Sequence, residues 1–133
     1  MNGVLKEWLD KAEGDYIVAL REYRARKNPN HDAVCFHAQQ CIEKYLKAVL
    51  AKECRPIRKI HDLAALLQDC LPRHPLWNTM KPELEWLTQS AVKVRYPGES
   101  ANKDNAKTAV RIMKRCRQEI RAVFTRNGGR MSG

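Results

Sequence analysis

Apolar residues recur three and four positions apart in five separate stretches of this chain, and residues that helices reject, proline, asparagine or glycine, punctuate the gaps between them. That spacing stacks side chains on one helical face, so it predicts amphipathic helices that bury their stripes against one another. The first, about Val4 to Arg26, aligns Leu5, Trp8, Leu9, Ala12, Tyr16, Ala19, Leu20 and Tyr23. Asn28 and Pro29 break it, because proline disfavours helical geometry at the residue before it. A second helix starts near His31 or Asp32, with Asp32 as a cap or a negative charge at the positive end of the dipole. Its stripe is Val34, Cys35, Ala38, Cys41, Ile42, Tyr45, Leu46 and Val49, and an outward Phe36 points to a second contact surface. Pro56 stops it, and Asp62 caps a short third helix carrying Leu63, Leu66, Leu67 and Cys70. Leu71 to Pro82, with three prolines and Trp77, reads as a loop. The fourth helix follows with Pro82 in its first turn and Leu84, Leu87, Ala91 and Val94 as its stripe, and Tyr96, Pro97 and Gly98 end it.

The fifth stretch, about Asn102 to Arg126, is the most two-faced. Ala109, Met113, Cys116, Ile120, Val123 and Phe124 gather on one side, and Lys103, Lys107, Arg111, Lys114 and Arg121 on the other. The sum is an all-α, up-and-down bundle of about five helices, one domain over residues 1–126, with a Gly-rich flexible tail at 127–133.

Charge narrows the partners. The chain carries a net +10, and from Ala101 onward nine basic residues face only Asp104 and Glu119. Such a field favours phosphate-bearing or acidic partners, although a solvated face explains a charge run equally well. Five cysteines without a CxxC pair argue against a disulfide framework or a zinc knuckle, so reduced and mostly buried thiols are expected. His37 and Cys41 stand four apart, but two ligands make no metal site, and no metal or cofactor is expected. With no leader pattern, and with Leu63 to Leu67 as the longest clearly apolar run, a cytoplasmic protein without a membrane span is expected.

The run from Cys35 to Leu50, CFHAQQCIEKYLKAVL, resembles the second-helix signature of HEPN proteins, the higher eukaryotes and prokaryotes nucleotide-binding family. His61-Asp62-Leu63 opening the next helix, Arg95-Tyr96-Pro97-Gly98 after the fourth, and Trp8, Ala12, Asp15 and Tyr16 in the first follow in the family's order, so the likeness covers about residues 4 to 125. The resemblance implies a helical homodimer, commonly paired with a minimal nucleotidyltransferase in a toxin–antitoxin-type module, with a nucleotide or RNA as ligand. It also implies, for nuclease-active branches, an Arg and a His separated by four to six residues that meet across a dimer cleft. Arg55 and His61 have that spacing, as do Arg24 and Arg26 with His31; Arg55 is followed by Pro56, where the nuclease branches usually carry a polar residue.

Two readings of the same residues stay open. In one, His61 moves a proton while Arg55 steadies charge on a phosphate, which gives a metal-independent ribonuclease toxin. In the other, Asp62 is a helix cap, His61 is bonded at that helix start, and Arg55 is a solvated loop charge; the protein is then a binding or regulatory subunit. Candidate nucleotide- or phosphate-binding residues are Gln40, Lys44, Lys47, His61, Asp62, Arg95 and Tyr96. A helical scaffold without ligand is the second alternative.

Overall fold

A computed structural model describes residues 3–125. Five α-helices run in order: α1 Gly3–Tyr23, α2 His31–Lys52, α3 Leu63–Cys70, α4 Lys81–Lys93 and α5 Lys103–Thr125. Among the described residues there is no strand. The tail expected at 127–133 lies outside the described residues.

Helix α2 is the centre of the bundle, packing on α1, α5, α3 and α4. Its stripe residues Val34, Cys35, Ala38, Cys41, Ile42, Tyr45, Leu46 and Val49 are all buried to 0% exposure, so burial here comes from every side rather than from one face. Trp8 lies near Lys47, Asp15 near His37 and Lys44, and Leu20 near Val34, so α1 runs antiparallel to α2. Helix α5 runs antiparallel to α1 in turn, with Glu13 meeting Arg117 and Arg121 while Leu20 and Tyr23 meet Ala106 and Val110.

The helix ends depart from expectation in instructive ways. Asn30, not Asp32, caps α2, its side-chain oxygen accepting from the Ala33 N–H at 3.0 Å. Asp32 instead accepts from the Ala101 N–H at 2.7 Å and ties the loop before α5 to the start of α2. Helix α2 stops before Pro56 is reached: the Cys54 N–H bonds the Ala51 carbonyl and the Arg55 N–H the Leu50 carbonyl, with Cys54 at φ 54°. That is a Schellman stop, with cysteine at the left-handed position where glycine is favoured. Asp62 caps α3 as expected, accepting from the Ala64 and Ala65 N–H groups. Leu71 to Pro82 is not a plain loop. Pro75–Met80 forms a 3-10 helix, because Pro75 suits a first helical turn and because Trp77 and Met80 gain burial in the core.

Four cysteines are buried and Cys54 is exposed, and all five are free thiols. Desolvation pushes Cys35 and Cys116 up to about 11 and Cys70 to about 12, which keeps these thiols protonated and unreactive at neutral pH. No described helix is long and apolar enough to cross a membrane.

Candidate functional site

Three polar residues of α2 do not face solvent; they form a ladder under α1 and the segment that precedes α3. Gln39, Glu43 and Lys47 are 2%, 4% and 5% exposed, low enough that each needs an internal partner. The Gln39 amide donates to the His61 carbonyl at 2.7 Å and to Glu43 at 3.3 Å. Glu43 also accepts from Lys47 at 3.1 Å, and its two oxygens lie 3.0 and 3.2 Å from Nδ1 of His61. Lys47 extends beneath Trp8, its Nζ 5.7 Å from the ring centroid. Gln40 joins by donating to the Gln39 oxygen at 2.9 Å.

A second group adjoins the first. Asp15, buried on α1, takes Lys44 on one oxygen at 2.5 Å and Nδ1 of His37 on the other at 2.8 Å. The His37 ring meets Phe36 edge-on at 5.2 Å, and the Arg95 guanidinium lies 5.8 Å over the same Phe36 ring. Gln40 and Lys44, four positions apart, set the two groups along neighbouring positions of α2. Tyr96 follows Arg95 and is 62% exposed.

Arg55 belongs elsewhere. It lies 3.6 Å from Glu53, whose other oxygen is 2.6 Å from Nε2 of His74, and the His74 ring stacks on Trp77 at 4.1 Å. Glu43 and Glu53 are ten residues apart, about 15 Å along the helix axis, so Arg55 and His61 are held by separate carboxylates within the chain. Lys47 is sequestered in its ion pair, and Asp62 is occupied by the cap of α3. Of the expected residues, Gln40, Arg95 and His61 are the ones on this surface that no ion pair or helix cap occupies fully.

The chemistry of His61 follows from its carboxylate. A carboxylate accepts, so Nδ1 is the nitrogen that donates to Glu43, which leaves Nε2 as the ring nitrogen not engaged by it. With the His61 side chain 69% exposed, that nitrogen is open to a partner. Asp15, His37, Gln39 and Glu43 were not among the expected site residues. The one mark they leave in the sequence is the Glu43/Lys47 spacing of four, which a solvated helix face shows equally. Among the described residues no group of three or more His, Cys, Asp or Glu is placed to hold a metal.

The chain is thus a five-helix bundle with a polar ladder along its central helix. The HEPN domain family matches residues 5–123, nearly the whole length, and the chain belongs to that family. It matches no curated protein and no solved structure. Membership supports a function related to nucleotides or RNA.

Proposed function

We propose that this HEPN domain is a homodimeric binding or regulatory subunit of a toxin–antitoxin-type module, acting on a nucleotide or RNA beside a minimal nucleotidyltransferase. The observation that carries the reading is internal neutralisation. Lys44 is matched by Asp15, Lys47 by Glu43 and Arg55 by Glu53, all within one protomer, and Arg55 and His61 do not converge on a common phosphate there. What remains accessible, Gln40 near His61, Arg95 over Phe36 and the exposed Tyr96, suits hydrogen bonding and stacking rather than proton transfer.

A second reading is favoured by one specific feature. His61 is exposed and oriented by a buried carboxylate, the arrangement that prepares an imidazole to accept or deliver a proton. Under that reading the chain is a metal-independent ribonuclease, with Arg55 of one protomer acting beside His61 of the other.

Purification from the native host separates these, followed by expression of the chain alone with and without His61→Ala. The binding reading expects recovery with a nucleotidyltransferase, no RNA cleavage in EDTA and growth indifferent to the substitution. Toxicity abolished by His61→Ala supports the ribonuclease instead. Recovery with neither nucleotidyltransferase nor nucleotide leaves a scaffold.

A further inference from the structure

The seam between α1 and α5 differs in kind from the α2 face. At 100° per residue, Lys103, Lys107, Lys114 and Arg121 fall within about 40° of one another, a ridge about 27 Å long. Lys103, Lys107 and Lys114 are exposed and have no ion pair among the described residues. The positions one step further round α5 are tied to α4 instead, Arg111 and Arg115 both binding Glu83. Asp104 and Glu119 lie about 80° and 140° away from the middle of the ridge.

Helix α1 supplies the other wall. Tyr16 carries the Arg117 guanidinium over its ring at 4.0 Å, Ile17 is 50% exposed, and Arg24 is exposed without an ion pair among the described residues. Tyr16, Lys114, Arg117, Gln118 and Arg121 line an open groove of about 490 Å³. Glu13 is the one carboxylate bonded there, shared by Arg117 and Arg121, which leaves the groove strongly positive. Asp15, which anchors the α2 surface, is about 160° round α1 from Ile17, so the two surfaces lie on opposite sides of that helix.

We infer that the α1/α5 seam is a docking track for single-stranded RNA, separate from the His61 surface. Its unpaired lysines meet successive phosphates, and the planar Tyr16–Arg117 pair offers a face on which a base stacks. A bilayer is a poor occupant, because Ile17 is the one large apolar side chain of the seam more than half-exposed or close to it. The inference rests on the RNA-related reading of the family and adds a place on the molecule to it.

The test uses the full chain and a fluorescein-labelled 12-nucleotide oligouridylate, followed by anisotropy across a salt series. The variant K103Q/K107Q/K114Q is compared with K11Q/K52Q/K59Q, which removes equal charge from exposed lysines off the seam. The seam variant should bind at least about tenfold more weakly near 0.1 M salt, with a salt slope shallower by about 2, while the control changes little. Equal losses in both variants, no loss in either, or no binding by the parent chain overturns the inference. So does displacement of the RNA by oligoglutamate at matching affinity, which would make the groove a site for acidic polypeptide. Capture of a nucleotidyltransferase is read separately: if it survives when seam binding fails, only this inference falls, and if it fails while seam binding holds, only the partner reading falls.

Discussion

The α2 face and the α1/α5 seam use the same side-chain types to opposite ends. Along α2 every lysine of the polar face has a carboxylate within the fold, and Glu43 and Lys47 are 5% and 7% exposed at their side chains. Along the seam the lysines are exposed and unmatched among the described residues. Desolvation explains the contrast. A charge taken out of water requires a partner at hydrogen-bond distance, whereas a charge left in water requires none and stays free to meet a ligand. A count of basic residues in the sequence cannot separate the two cases; burial does.

The contrast is sharpest at Glu43, where the largest effect is expected. Glu43→Ala leaves the Lys47 ammonium buried without its carboxylate, removes the partner of the His61 ring and takes one of two acceptors from Gln39. Breaking a buried pair from one side costs about 3–5 kcal/mol, to be read in chemical denaturation at pH 7. The double variant Glu43→Leu with Lys47→Met removes both charges together and should recover most of that loss. Equal destabilisation of the single and double variants would show that packing, not charge pairing, holds this ladder.

Glu13 stands between the two regimes, with its side chain 32% exposed. It takes Arg117 on both oxygens at 2.7 and 2.8 Å and also receives the Tyr45 hydroxyl. The Arg117 hydrogen bonds, chiefly, hold its carboxyl below the ordinary value of 4.5, outweighing partial burial. Because the folded value is depressed, the stability it contributes is complete above about 4.5 and is lost as pH falls through the native value. Glu13→Gln should therefore cost about 1–2 kcal/mol at pH 7 and flatten the acid limb of the stability profile below pH 4.5. An acid limb of unchanged slope would place the responsible carboxylates elsewhere.

The difference between these regions also explains what was legible beforehand. The stripe of α2 is readable because apolar residues spaced three and four apart have no other way to be satisfied, and Leu63, Leu66, Leu67 and Cys70 on α3 are buried for the same reason. The basic ridge of α5 is readable because nothing packs over it. The role of Glu43 is not readable from α2 alone, since an i, i+4 Glu–Lys pair looks identical on a solvated face. Only the arrival of Trp8 from α1 and of the His61 carbonyl, twenty-two positions from Gln39, turns it into an internal ladder. Arg55 and His61 illustrate the same limit: Arg55 pairs with its near neighbour Glu53, but His61 is held by Glu43, eighteen positions back, a contact that only the fold creates. Pro75–Met80 was hidden because prolines signal a break, while the burial of Trp77 that orders the segment is a tertiary effect.

The seam lysines complete the comparison with the smallest expected change in stability. Lys103, Lys107 and Lys114 are exposed, make no ion pair among the described residues and lie near one another on a chain of net +10. Replacing each by glutamine removes mutual repulsion and breaks no internal contact, so each substitution should shift stability by less than about 0.5 kcal/mol, with the triple variant neutral or slightly stabilised at low salt. Thermal denaturation in 20 mM and about 0.5 M salt checks this, because repulsion is screened within roughly one Debye length at the higher concentration. A triple variant destabilised by more than about 2 kcal/mol at both concentrations would mean that these lysines are structural, like Lys47. The two surfaces would then be one design rather than two.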